Sequence, residues 1–322
     1  MSGQSPLALP ISRMRYDITM PLFEGRVLLD GVSLTPVGQS PMVFADVPEL
    51  RQGAFGLWDL NLGYLLPAIE AGWELVALPL FIKRKSVLQF IFVRRDIANP
   101  GALAGKRIGS RQYRTAVTIW ARGLLKEHYG VDTQSLRWVV QVPEHFANHD
   151  RGARIEMVDA GASLADMLIA GDIDAMITDI SDGPLWQRLE THPAVRRLFP
   201  NYADEDLRLQ RDAGIFPPMH LMVMSRNLDR AHPELALALY GAFEQAKQLA
   251  FQDIANDRGG LSLVDLRERF FAQQAAWGDP WVYGIHANRR MIDAFVRYNL
   301  EQGAIRAPLG YEQIFAAGTL DT

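Results

Sequence analysis

The chain has 322 residues, 48% of them hydrophobic and 22% charged, a globular composition that excludes a disordered, collagenous or membrane chain. Lys and Arg number 33 against 37 Asp and Glu, a net charge of −4, so nothing recommends nucleic acid or an anionic membrane as the partner. The absence of cysteine removes disulfides, thiolate metal sites and cysteine nucleophiles, while seven histidines keep imidazole chemistry open.

The opening Met1-Ser2-Gly3-Gln4-Ser5-Pro6-Leu7-Ala8-Leu9-Pro10 has no cationic segment, and Pro6 and Pro10 interrupt its short apolar stretch. No run approaches the roughly 18 apolar residues of a spanning helix, so the expected location is cytoplasmic. The first ~14 residues read as a loose tail. A strand is predicted near Arg15–Met20 and another at Val32–Val37, with turn residues from Phe23 to Gly31 around a short apolar helix or turn. Helical spacing follows over Met42–Arg51 and over Leu62–Ala71, and Leu75–Pro79 reads as a short buried strand. This alternation implies a mostly parallel sheet with helices on its faces.

From Leu88 the pattern starts afresh. Gln89–Val93 and Gly105–Gly109 are predicted strands, and Ala116–Tyr129 is a helix with Val117, Trp120, Leu124 and Leu125 on one face and Gly130 as its stop. Trp138–Val142 is a further strand. The polar stretch Glu144–Ala153 reads as a surface loop with His145 and His149 in solvent. Ser163 caps a helix over Leu164–Ala170, ended by Gly171, before a strand over Ile173–Thr178. Leu221–Met224 is a late strand, and helices run from Glu234 to the end. Two β/α modules followed by long helices suggest two lobes joined by crossovers near Arg84–Leu88 and Pro218–Leu221. The expected division is 1–87 with 222–322 as lobe 1 and 88–221 as lobe 2.

Four phrases carry a family resemblance: Leu103-Ala104-Gly105-Lys106-Arg107-Ile108-Gly109, Ala170-Gly171-Asp172-Ile173-Asp174-Ala175, Ile215-Phe216-Pro217-Pro218-Met219-His220-Leu221, and Gly278-Asp279-Pro280-Trp281-Val282-Tyr283-Gly284-Ile285-His286-Ala287-Asn288-Arg289. The first two resemble signatures of the type II periplasmic-binding-protein fold. The last two, with Trp120–Leu125 and Tyr129–Trp138, resemble the 4,5-dihydroxyphthalate decarboxylase family, over about Tyr16 to Phe315. The resemblance implies an α/β, two-lobed fold with two hinge crossovers and C-terminal helices on the first lobe. It also implies a decarboxylase of aromatic-acid breakdown. The chain departs from the family pattern at Ser86-Val87-Leu88-Gln89, at Trp58–Gly63 and at Thr178–Asp182, which points to a related protein with another ligand.

In such a fold the ligand is expected in the cleft beyond the strand ends. Ser110, Arg111, Arg114 and Thr115 stand where a strand meets a helix N-terminus, and free backbone N–H groups with two guanidinium groups would suit a carboxylate; the alternative is that they cap and solvate the loop. Lys83-Arg84-Lys85 is the densest basic patch, either a solvated turn or, at Arg84, a cleft cation. His220, at the second crossover, is the candidate acid that delivers a proton to the ring carbon losing carbon dioxide, against the alternative of a buried structural histidine. Asp59 and Asp179 follow strands and either orient His220, accept a phenolic proton or cap helices. Tyr283 lies in a loop that would close over a planar ligand or pack on the first lobe, and Tyr16, beside Asp17, matches a Tyr-Asp pair of the family.

His220, Asp59 and Asp179 could ligate a metal, but no His-x-His, His-x-x-x-His or His-Glu-x-x-His spacing supports one, so neither metal nor cofactor is expected. The expected partner is a small aromatic or other carboxylate, with a homo-oligomer left open. The leading function is non-oxidative decarboxylation of a hydroxylated aromatic acid bound between the lobes. The alternative is a non-catalytic small-anion binding protein of the transporter-receptor type.

Overall fold

The computed structural model describes residues 5–12, 16–38, 48–146, 151–178, 183–258 and 262–322. They divide into two compact units, the first made of residues 1–84, 218–289 and 309–322, the second of 85–217 and 290–308.

The first unit opens with β1 (Leu7–Ser12), parallel to β2 (Val32–Val37) from Leu7 opposite Val32 to Ser12 opposite Val37. Over Leu7–Ser12 the expected loose tail is instead a strand inside a sheet, because Leu9 and Ile11 alternate inward to complete burial, while residues 1–4 and 13–14 of it lie outside the described residues. The expected strand at Arg15–Met20 is instead a 3-10 turn over Asp17–Thr19 leading into α1 (Met20–Phe23), where Pro21 suits the first helical turn. After α2 (Pro48–Gln52) come β3 (Leu57–Asn61), α3 (Leu62–Glu70), β4 (Leu75–Ala77) and β5 (Lys83–Arg84). Residues 42–47 of the helix expected over Met42–Arg51 lie outside the described residues.

The second unit carries β6 (Ile91–Arg94), β7 (Arg107–Ser110), α4 (Ala116–Tyr129), β8 (Arg137–Val140), β9 (Arg154–Met157), α5 (Leu164–Ala170), β10 (Ala175–Ile177), α6 (Gly183–Thr191), β11 (Val195–Arg197) and α7 (Tyr202–Ala213). Its sheet runs β11-β6-β10-β7-β8-β9; β10, β7, β8 and β9 are parallel, and β6 is antiparallel to both neighbours. Helix α4 spans the predicted residues. Thr115 and Thr118 close a reciprocal cap at its start, and Gly130 takes the left-handed conformation at its end, with φ 65°.

The chain then returns as β12 (Pro218–Ser225), which enters the first sheet between β3 and β4, antiparallel to both, and also pairs with β5. Helices α8 (Arg226–Ala231), α9 (Leu235–Ala255), α10 (Leu266–Trp277), α11 (Ile285–Glu301) and α12 (Tyr311–Ile314) follow. Leu239, Phe243 and Ala246 of α9 pack against Leu57, Val76, Met222 and Met224 of the sheet to form the first unit's core. The Leu, Val, Phe and Met side chains among them stabilise by about 1.5–3 kcal/mol each when fully buried. Residues 290–308, expected with lobe 1, cluster with the second unit, so the division falls inside α11. Among the described residues no helix is long and apolar enough to cross a membrane.

Candidate functional site

Antiparallel pairing places His220 of β12 opposite Asn61 of β3 and Met222 opposite Asp59, so Asp59, Asn61 and His220 point to one face of the first unit's sheet. Across that pair His220 Nδ1 lies 2.6 Å from Asp59 Oδ1, with side-chain exposures of 19% and 8%. The imidazole thus keeps solvent access while its carboxylate partner is nearly dry. With Nδ1 held by the carboxylate, Nε2 is the end of the ring left for chemistry.

Asp59 is fixed from behind, its backbone N–H donating to the buried Ser12 Oγ at 2.9 Å. The helix cap expected of Asp59 falls instead to Asn61, whose Oδ1 accepts the Gly63 N–H at 2.9 Å. That bond turns the amide so that Asn61 Nδ2 faces His220 Nε2 at 3.4 Å, a long contact that suits an unprotonated Nε2. Tyr16 stands near this group. Burial, and then the Asp59 carboxylate, push its phenol well above the ordinary range, so it stays a neutral hydroxyl. Asn61 and Ser12 were not among the sequence candidates; an asparagine immediately before a helical run is the signal that points to Asn61.

The other candidates of the first unit serve its interior. Arg84 is 4% exposed; its Nη2 donates to Val282 O at 3.0 Å and to Asn288 Oδ1 at 2.6 Å, and its Cζ lies 5.3 Å from the Phe81 ring centre. Burial pulls its guanidinium down to about 10. Tyr283 is buried in the core, and the buried Lys247 holds its ammonium 4.6 Å over that ring while pairing with Asp279 at 2.6 Å and Glu244 at 2.9 Å. The loop over Gly278–Gly284 is therefore packed into the first unit, which leaves neither Arg84 nor Tyr283 presented to solvent.

The second unit holds the remaining described candidates, and here the N–H groups of Arg114 and Thr115 are taken. The Arg114 N–H donates to Glu144 Oε1 at 2.9 Å, Thr115 N–H to Thr118 Oγ1 at 3.0 Å, and Thr118 N–H to Thr115 Oγ1 at 3.4 Å. Ser110 is fully buried and its hydroxyl donates to Gln112 O at 3.0 Å. Arg111 is exposed, whereas Arg114 is buried. His145, expected in solvent, is half-buried. Asp179 and His149 lie outside the described residues. Among the described residues no three His, Asp or Glu side chains gather in a metal-binding group.

A curated protein of Comamonas testosteroni named 4,5-dihydroxyphthalate decarboxylase is 27% identical over 339 aligned residues, covering 99% of both chains. The chain resembles that decarboxylase from end to end. A protein of the same name from Pseudomonas putida is 27% identical over 53% of this chain and 70% of its own. The family resemblance carried by the sequence phrases is thereby borne out, although no protein-family model matches the chain. Among solved structures, the periplasmic sulfonate-binding protein of Methylobacillus flagellatus matches with a TM-score of 0.58 at 12% identity, over 97% of this chain and 92% of its own. The aliphatic sulphonate binding protein of Escherichia coli matches with a TM-score of 0.56 at 14% identity, over 99% and 100%. At such identities the likeness concerns the fold, which is the two-lobed α/β architecture of periplasmic binding proteins.

Proposed function

We propose that the chain is a carboxy-lyase that removes carbon dioxide from a hydroxylated aromatic acid of the dihydroxyphthalate type, with His220 as the proton donor and Asp59 as its positioning partner. The observation that carries the reading is the 2.6 Å His220–Asp59 pair, solvent-accessible on its imidazole side, in a full-length relative of a decarboxylase.

In the proposed step the Nε2 proton of the charged imidazole adds to the ring carbon that bears the carboxylate. The bond from that carbon to the carboxylate breaks, its electron pair returns to the ring, and carbon dioxide leaves. One proton enters the product and leaves Nε2 unprotonated, the state in which it faces the Asn61 amide; a solvent proton charges the ring when that amide is displaced for the next substrate. Asp59 stabilises the charged ring and holds its orientation. The Asn61 amide, facing Nε2 in the resting arrangement, gives way as the substrate ring takes that place. Arg111 and Arg114 stay in the proposal as contacts for the substrate's carboxylates, with Ser110 and Thr115 shaping their turn.

The test is conversion of 4,5-dihydroxyphthalate and its mono-hydroxylated relatives to the decarboxylated acids. His220→Ala is expected to lower kcat by about 10²–10⁴, and Asp59→Asn to lower kcat and displace the pH profile while KM changes little. Binding of these acids without turnover by the wild-type chain overturns the proposal and leaves a small-anion receptor on the same fold.

A further inference from the structure

Two arginines of the second unit are buried with their charged ends unmet. Arg114, the residue before the α4 cap, is 1% exposed, and its Nε, Nη1 and Nη2 have no hydrogen-bond partner among the described residues. Arg122, two turns into α4, is 2% exposed. Its Nε donates to Gln302 Oε1 at 2.7 Å, but Nη1 and Nη2 also lack partners. Its Cζ lies 3.8 Å from the ring centre of Tyr113 and 4.9 Å from that of Trp138, two rings that meet edge-on at 5.5 Å.

Such an arrangement is expensive for a fold to keep. A buried donor left unsatisfied loses its hydrogen bond to water with nothing in return, and a desolvated ion loses more. Stacking on the two rings offsets part of this for Arg122. Among the described residues no ring or ion pair does the same for the Arg114 guanidinium. Burial lowers the pKa of both groups, and Arg114 lowers that of Arg122 further, so the two cations act on each other. The groups facing the pair that oppose this are Glu144 and the Tyr113 phenol. Glu144 is half-buried and already accepts the Arg114 N–H. Two cations against one carboxylate leave one positive charge, the complement of a single carboxylate group. A guanidinium fork matches a carboxylate's two oxygens, which a lone ammonium does not.

We infer that Arg114 and Arg122 form a buried binding site for one carboxylate of an organic acid, with Glu144 setting its net charge. The inference deepens the proposed function: it rests on reading Arg114 as a ligand contact, and adds Arg122 and Glu144 to that site. It does not depend on what His220 does.

The test is calorimetric titration of the full chain with phthalate, with catechol as the ring lacking carboxylates, alongside thermal unfolding. Phthalate is expected to bind and raise Tm, whereas catechol does neither at the same concentration. Arg114→Met keeps the buried stem and removes the charge; it is expected to weaken phthalate at least tenfold while the ligand-free Tm holds or rises. Arg122→Lys, which keeps the charge and loses the fork, is expected to weaken it at least threefold. Glu144→Gln, on a half-buried loop and still able to accept the Arg114 N–H, is expected to tighten phthalate severalfold. Failure of phthalate to bind overturns the site, as does wild-type affinity in Arg114→Met, or a lowered ligand-free Tm in that variant with phthalate affinity retained. Turnover is not read, so a chain that binds phthalate through these arginines but decarboxylates nothing sinks the lyase reading alone.

Discussion

Asp206 sits on α7 with 3% of its surface exposed, and its Oδ1 meets no partner among the described residues. Burial pushes its carboxyl up to about 7; a hydrogen bond from Ser86 pulls the other way, and the neighbouring Glu205 charge adds to the rise. An unfolded aspartate releases its proton near 3.8. Between those values the unfolded chain has lost a proton that the folded chain keeps, so this group lowers stability as pH rises from about 4 to 7 and holds the full penalty above that. At about 1.4 kcal/mol per tenfold shift in a proton equilibrium, that penalty is about 4 kcal/mol at most. Asp206→Asn is therefore expected to stabilise the protein in urea titration at pH 8 and to lose most of that gain at pH 4.5; an equal gain at both would remove the carboxyl's role. The phrase Ser86-Val87-Leu88-Gln89, which in the sequence stood out as a pocket departure, is here core: Val87 and Leu88 are fully buried and Ser86 serves Asp206. His220 and Asp59 were each legible as candidates, and their pairing stood among the alternatives, but the sequence could not choose it over Asp179 or a helix cap, because it joins residues 161 positions apart and follows from strand register. Arg122 left no trace in the pattern, since a buried arginine and a solvated one occupy a helix wheel alike.

Elements with chemical punctuation at their ends were the ones the sequence disclosed. Helix α4 between Thr115 and Gly130, and α5 between Ser163 and Gly171, have the predicted bounds because a side-chain cap and a left-handed glycine terminate each. Strand β9 was missed because all four of its residues are exposed, so it has no inward alternation to read. Strand β1 was misread because Pro10 looks like a breaker; it sits in the strand, with Leu9 and Ile11 buried on either side. The same stretch explains Gly56. A Cβ there would stand 2.1 Å from the Pro10 carbonyl oxygen, and a backbone atom in a paired strand cannot step aside. Gly56→Ala is expected to cost about 1–3 kcal/mol by forcing β1 from β3. Gly241→Ala, in α9 with nothing near its Cβ, is expected to gain about 0.5–1 kcal/mol. Urea midpoints moving in opposite directions check the pair, and a Gly56→Ala midpoint equal to wild type would show that the strands can part cheaply.

Neither unit is continuous in the chain: the first takes three segments and the second two. The chain leaves the first unit after Arg84 and re-enters it at Pro218, and it passes out again inside α11, where helical periodicity runs on without a breaker. The first sheet places β12 between β3 and β4, so its middle cannot close until residues 218–225 are available. Its far side waits longer still. Phe315, 2% exposed, bridges Ala77 of β4 in parallel, and the Ala316 N–H donates to Ala77 O at 2.9 Å. Thr322 O in turn accepts the N–H groups of Ile285 and His286 at 2.9 and 2.7 Å, covering the start of α11. Pairings this distant in sequence fold slowly and are completed late, because loop-closure entropy precedes any gain in contact. Phe315→Ala removes the buried ring that seats this final segment, at an expected cost of about 3–5 kcal/mol. Hydrogen exchange followed by mass spectrometry is expected to show the largest loss of protection at Leu75–Ala77 and at 314–322. Unchanged exchange at β4 would show that the closing segment is an attachment to the first unit's sheet and not one of its supports.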